Sequence, residues 1–177
     1  MNSNKQLTIA HIRWMISRRD MPEVLRIEMA SHAYPWDAED FLRCLRQRNC
    51  IGLSAEFGEK IVGFMIYELH KTKFHIINFA VHPDYRRQSV GKQMAEILVS
   101  KLSDHRRTRV TVEVRETNSV AQFFFRSMGF RATGVFRQFY ADSGEDAYLM
   151  EHRLTSLLED EVVEEIPNRI RGYFGSA

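Results

Sequence analysis

The sequence predicts a mixed α/β fold, one central sheet of mixed strand direction with helices on both faces. Three stretches carry that expectation. Arg109 to Arg115 alternates without a break, with Val110, Val112 and Val114 on one side and Thr111, Glu113 and Arg115 on the other, which is the period of a β-strand. Phe74 to Val81 reads as apolar on both sides, as a central strand covered above and below must be. Val90, Met94, Ile97, Leu98 and Leu102 recur at spacings of three and four, the stripe of an amphipathic helix.

The remaining elements follow in chain order. Residues 1–6 form a polar leader, and Leu7 to Ile16 is a first strand closed by Ser17-Arg18-Arg19-Asp20. Asp20 suits an N-cap with Pro22 just inside the first turn, so a helix is expected through about residue 32 with Val24, Leu25 and Met29 as its stripe. Tyr34-Pro35-Trp36 interrupts it, and Asp37 caps a second helix that carries Phe41, Leu42 and Leu45. Cys50 to Phe57 and Ile61 to Leu69 flank Gly58-Glu59-Lys60, a hairpin signal. After the Arg109–Arg115 strand, Asn118 opens a helix that Gly129 closes as a left-handed cap. Phe130 to Phe136 and Asp146 to Leu154 are the last strands. The order is β-α-α-β-β-β-α-β-α-β-β, a single domain over residues 7–154. The acidic tail, 155–177, carries Leu157, Leu158, Val162, Val163 and Ile166 as the stripe of a short appended helix.

Composition narrows the function classes. A chain of 177 residues with 44% hydrophobic and 27% charged content can bury a real core. A net charge of +2 gives no argument for nucleic acid as a direct partner. The basic run His105 to Arg109 falls at a helix C-terminus, where cations are favourable. No apolar stretch is long enough for an export signal or a membrane span, so a cytoplasmic protein with no membrane partner is expected. Cys44 and Cys50 lack the spacing of a metal site or a redox pair and are expected as reduced thiols; no metal is predicted.

Chemistry concentrates in the loop Val-His-Pro-Asp-Tyr-Arg-Arg-Gln-Ser-Val-Gly-Lys, residues 81–92, which leaves an apolar strand and enters a helix. The first N–H groups of a helix have no intrahelical acceptor and the macrodipole there is positive, so a pyrophosphate placed at such a turn collects several hydrogen bonds. Arg86, Arg87 and Lys92 add positive charge.

Read as Arg86-x-x-Ser89-x-Gly91, this loop resembles the acetyl-coenzyme A loop of the GNAT acetyltransferases. The resemblance extends through Tyr34-Pro35-Trp36, Asn78-Phe79-Ala80-Val81, His82-Pro83, Glu113-Val114-Arg115 with Asn118, Met128-Gly129-Phe130, Tyr140-Ala141-Asp142 and Gly144-Glu145-Asp146-Ala147. Within the superfamily it is most similar to the bacterial ribosomal-protein-alanine N-acetyltransferases and the related protein Nα-acetyltransferases. It implies the GNAT fold, acetyl-coenzyme A as co-substrate, and a protein or peptide N-terminus, a ribosomal protein included, as acceptor.

The resemblance also implies a site. Phe79, Ala80 and Val81 offer backbone groups to the pantetheine arm, residues Arg86, Arg87, Gln88, Ser89, Val90, Gly91 and Lys92 surround the pyrophosphate, Asn118 lies beside the pantetheine arm, and Phe125 is turned toward the thioester. Glu113 is the general base, because an α-ammonium with a reference pKa near ~8 must lose a proton before it attacks. Glu28, Tyr34, Trp36 and Tyr140 line the acceptor entrance, and Tyr140 is the nearest remaining hydroxyl acid. Two positions depart from the family pattern: Ser89 stands where glycine is usual, and Phe125 where the general-acid tyrosine is usual. The alternatives are an acetyltransferase for a small amine or a lysine side chain, and an acetyl-coenzyme A-binding regulatory module with little catalysis.

Overall fold

The computed structural model describes residues 10–15 and 17–155; the polar leader and the helix expected in the acidic tail lie outside the described residues. A sheet of seven strands runs β1 (His11–Trp14), β2 (Cys50–Phe57), β3 (Lys60–Leu69), β4 (Lys73–Val81), β5 (Arg109–Arg115), β7 (Ala147–Arg153) and β6 (Arg131–Phe136). Every neighbouring pair is antiparallel except β4 and β5, which are parallel. Helices α1 (Ser17–Ser31) and α2 (Ala38–Leu45) contribute Val24, Ile27 and Phe41 to one core, against Ile61, Phe64 and Ile66 of β3. The other face holds α3 (Val90–Val99) and α4 (Ser119–Ser127), where Met94, Leu98 and Phe125 pack on Met65, Ile76, Val110, Val112 and Val114. The expected mixed sheet with helices on both faces is therefore present.

Local signals set most boundaries. Asp37 accepts from Asp40 N–H while Asp40 accepts from Asp37 N–H, a reciprocal box that starts α2 where expected. The Asn118 side chain accepts from Ala121 N–H and starts α4, and Gly129 ends that region at φ +83°.

Two expectations are corrected. Asp20 does not cap α1, which begins at Ser17 and leaves Pro22 inside the helix. Asp20 is instead buried and accepts from Arg13 Nη1 at 2.7 Å and Nη2 at 2.8 Å, while Arg13 Nε donates to Glu56 at 2.8 Å. A buried carboxylate needs such a partner more than a helix end needs a cap; the same Arg13 holds Glu56 below the ordinary carboxylate range. Cys44 and Cys50 are not separate thiols but a disulfide. The chain turns back at the end of α2, with Gln47 N–H donating to Cys44 O and Cys50 N–H to Gln47 O, and brings the two Cα atoms to 6.2 Å.

Candidate functional site

The site begins where the one parallel pair among the described strands comes apart. Strands β4 and β5 pair from Lys73 with Arg109 to Ile76 with Val112 and no further, although β4 continues to Val81 and β5 to Arg115. A bulge accompanies the separation: Tyr67 faces Ile76 and Ile66 faces Asn78, so Ile77 is the extra residue of β4. It exchanges the faces of the strand. Phe74 and Ile76 belong to the core under α3, whereas Ala80 belongs to the core under α1 and α2. Phe79, Ala80 and Val81 thus form a strand end with β3 on one side and an open wedge on the other.

At the top of that wedge the chain makes a 3₁₀ turn, Pro83–Tyr85, and enters α3. Arg87 and Ser89 take φ values of 61° and 63°, the left-handed region, and Ser89 is the N-cap without any side-chain cap bond. Gln93 N–H donates to Ser89 O at 3.0 Å, so the N–H groups of Val90, Gly91 and Lys92 precede the first full helical bond and face out of the helix start. A Cβ on Gly91 would sit 3.4 Å from the Phe124 ring, an ordinary contact. Packing within the protein therefore does not demand glycine there, and the space it leaves suits a ligand's close approach. Arg86 is fastened inward, Nε to Val81 O at 3.0 Å and Nη2 to Ser31 Oγ at 3.1 Å, and Gln88 Nε2 donates to Asp84 O at 3.0 Å. These two shape the loop. Arg87 and Lys92 are exposed cations beside the helix start, as is Arg86 despite its two bonds, and Lys92 lies within 3.7 Å of Glu96.

Glu113 occupies the wedge wall on β5. Its side chain is 16% exposed and Oε2 lies 3.1 Å from His75 Nε2 of β4, rather than beside a lysine or arginine. The Tyr140 hydroxyl donates to the Glu113 carbonyl at 3.3 Å, and burial pushes that phenol up to about 12. Arg115, two residues on, gathers the β6–β7 loop: Nη1 donates to Asp142, Ser143 and Glu145 at 2.9, 2.7 and 2.8 Å, and Nη2 to Asp142 at 2.6 Å. Its guanidinium lies 3.8 Å from the Tyr140 ring centroid and 4.8 Å from that of Tyr34, so one cation joins the loop after α1 to the loop after β6.

On the acceptor side, Tyr34 is exposed and Trp36 packs edge-on against Phe41. Glu28 presents no free carboxylate to the surface, contrary to its expected role as a direct substrate ligand. It is 1% exposed, with Oε1 accepting from Trp36 N–H at 2.8 Å and Oε2 from Asn78 Nδ2 at 3.2 Å. The bulge delivers Asn78 to it, and the pair pins the Tyr34–Trp36 loop against β4. Phe125 is 3% exposed, packed on Phe124 and Phe130 with ring centroids 5.1 Å away and on Phe79 at 6.1 Å. It closes the floor of the wedge with carbon, and Asn118 lies one helix length away at the start of α4.

Sequence reading missed His75 and Asn78. Both stand in the strand read as apolar on both faces, and two polar residues inside such a strand were the available signal. Among the described residues no group of three or more His, Cys, Asp or Glu is arranged to hold a metal, and no helix is long and apolar enough to cross a membrane.

A parallel pair that parts beside an uncapped helix start, with a carboxylate on the wedge wall, defines a coenzyme-binding acyl-transfer scaffold. The pattern of the acetyltransferase (GNAT) family matches residues 16–130, and the chain belongs to that family. It is 30% identical over 133 residues to the [ribosomal protein bS18]-alanine N-acetyltransferase of Escherichia coli, covering 74% of this chain and 89% of that one. An N-alpha-acetyltransferase of Sulfurisphaera tokodaii is 26% identical over 144 residues, 74% of this chain and 86% of that protein. The crystal structure of the Escherichia coli ribosomal-protein-alanine enzyme superposes with a TM-score of 0.73 at 27% identity, over 82% of this chain and 94% of that one.

Proposed function

We propose that this protein transfers the acetyl group of acetyl-coenzyme A to the α-amino group of a protein N-terminus whose first residue is small, such as alanine, with a ribosomal protein as the leading acceptor. The observation that carries the reading is the wedge itself: an open β4 edge at Phe79–Val81, an uncapped α3 start, and Glu113 on the facing strand. The ribosomal-protein and Nα-acetyltransferase names of the relatives support the acceptor class.

Acetyl-coenzyme A supplies the thioester whose acyl carbon the amine attacks. The N–H groups of Val90, Gly91 and Lys92, with Arg87 and Lys92 side chains nearby, hold the pyrophosphate. The β4 edge from Phe79 to Val81 takes the extended arm as it would a strand and turns N–H groups toward the acyl oxygen. Glu113 removes a proton from the incoming ammonium, directly or through water. Tyr34, Trp36 and Tyr140 shape the entrance, with Glu28 acting through its bond to Trp36. Tyr140 contributes as a neutral hydrogen-bond donor. A phenol held near 12 would surrender its proton to a thiolate of reference pKa near ~8.5 only at a cost of roughly 5 kcal/mol. Phe125 excludes water, and the leaving sulfur takes its proton from the amine or from solvent. Mass spectrometry of acetyl-coenzyme A with a panel of N-terminal peptides, free amines and internal lysines tests this: acetylation confined to free amines or lysines would refute the acceptor, and none at all despite coenzyme binding would favour a binding module.

A further inference from the structure

We infer that a basic, apolar-walled groove at the end of the sheet remote from the wedge is the docking site for the acidic segment that follows β7 in the same chain, residues 156–166. The groove lies where β1 and β3 end and β2 and β4 begin, between those strands and the loop after α3, and has a volume of about 380 Å³. Trp14, Ile51, Leu69 and Phe74 supply its apolar wall, with Trp14 left 60% exposed. Lys101, Arg106 and Arg107 bring three cations to it, and none of the residues that line it is acidic. Arg107 is held in place, its guanidinium 5.1 Å from the Phe74 ring centroid and its Nε donating to His70 O at 2.8 Å. Burial first and the neighbouring Arg106 second hold that guanidinium below its ordinary range, so a carboxylate arriving there is favoured. An exposed apolar wall rimmed by charge of one sign marks a surface that something covers.

The chain itself carries a segment of the opposite charge to this place. Strand β7 ends at Arg153, and Leu154 N–H then donates to Thr108 O at 2.8 Å, which sets the departing chain beside the residue that follows Arg107. From Thr155 to Ile166 the sequence has five acidic residues, five aliphatic ones and no basic one. Leu158, Val162 and Ile166 recur every four residues, and Glu161 and Glu165 directly precede the last two, so an apolar line runs beside an acidic one. The reach suffices. In the sheet order β7 is two strands from β4 and five from β1, which at a strand spacing of ~4.8 Å is ~10 Å and ~24 Å. Residues 156–166 can span up to ~36 Å when extended. Leucine and valine side chains thus meet the Trp14–Phe74 wall while glutamates meet Lys101 and Arg106, and the wedge, at the other end of β4, stays open.

A zero-length carbodiimide joins a lysine only to a carboxylate in contact with it. In the full-length protein it should couple Lys101 to an acidic residue of the 159–165 stretch within one molecule, in preference to Lys71, which stands at the same end of the sheet but outside the groove. Leu158→Asp with Val162→Asp adds charge and deletes the apolar line; this double variant should lose the coupling to Lys101 and open Trp14 to acrylamide quenching, Trp36 contributing equally in both proteins. Arg106→Glu should do the same, and adding Glu161→Arg to it should restore both the coupling and the protection of Trp14. Coupling to Lys71 as readily as to Lys101, or equal quenching in the parent and the Leu158→Asp, Val162→Asp protein, would overturn the inference. Coupling found only between molecules, in a mixture of light and heavy isotope-labelled protein, would also overturn it and assign the groove to the tail of a second copy.

Discussion

Replacing Ser89 by glycine isolates what the altered coenzyme loop costs. Ser89 holds φ 63° and its hydroxyl makes no cap bond, so the side chain is paid for by backbone strain without a visible return. A non-glycine residue in the left-handed region costs roughly 1–2 kcal/mol. Glycine removes that cost but widens the unfolded ensemble by roughly 0.4–1 kcal/mol. The balance is a stabilisation of about 0.8 kcal/mol, worth roughly 2–3 °C in a chain of this size. Strain relieved equally in the free and bound forms cancels in binding, and the N–H groups at the start of α3 are the same in both proteins. The Kd for acetyl-coenzyme A in Ser89→Gly, measured by titration calorimetry, should therefore stay within about threefold of the parent. Ser89→Ala keeps the Cβ and the strained φ, and should bind equally well. A loss of tenfold or more in both variants would refute the reasoning, because only the missing hydroxyl is common to them and it would then be a phosphate ligand.

Glu113→Gln should lower turnover by roughly 10²–10⁴ with coenzyme affinity nearly intact and partial recovery at higher pH, as the amine deprotonates without help; unchanged turnover at neutral pH would remove it from the mechanism. Glu28→Ala leaves the Trp36 N–H and Asn78 without their acceptor and should cost about 1–3 kcal/mol in denaturant unfolding. Glu28→Gln should be milder, because Asn78 Oδ1, buried without a partner, can turn to accept the new amide. Phe125→Tyr should accelerate acetyl transfer if the new hydroxyl reaches the sulfur, and Tyr140→Phe, which removes only a hydrogen-bond donor at the entrance, should slow the parent and that variant alike; a smaller effect in the variant would make Tyr140 the acid that the new hydroxyl replaces. Asp142 is held below the ordinary carboxylate range chiefly by Arg115, and Glu145 by Thr117, Ser143 and Arg115. Carboxylates depressed by folding stabilise fully above their unfolded pKa values, about 4, and lose that contribution as pH falls through the lower folded values. Proteolysis within the β6–β7 loop should therefore rise only in acid, and Arg115→Met should make the loop sensitive already at neutral pH.

The elements whose ends carry their own chemistry were legible in the sequence. Alternating valines located β5, Asp37 and Asn118 announced the starts of α2 and α4, and Gly129 the end of α4, because each of these depends on residues a few positions apart. The proposed base was likewise in view, since Glu113 lies on the polar side of a strand whose other side is valine. What stayed hidden depends on distant partners. Asp20 carries the marks of a cap, yet Arg13 and the folded sheet claim it. Glu28 reads as an exposed helix carboxylate until the bulge at Ile77 turns Asn78 beneath it. The link of His75 to Glu113 exists only once β4 and β5 lie side by side, and the Cys44–Cys50 bond only once the chain has turned back after α2.

The parting of β4 from β5 also has a consequence for the protein at rest. A strand stretch with hydrogen-bonding groups on an unpaired side is a template for another chain, and folded proteins usually cover or charge such edges. In the proposed reading, the covering of Phe79 to Val81 is a small molecule that docks as a strand would. The amide protons of that stretch that face away from β3 should exchange with solvent readily in the free protein and slowly when acetyl-coenzyme A is present, while those of Lys73 to Ile76 that face β5, already held by it, should hardly respond. The coenzyme would then act as the missing piece of the sheet as well as a reactant, and a cell short of it would hold this protein with that edge open.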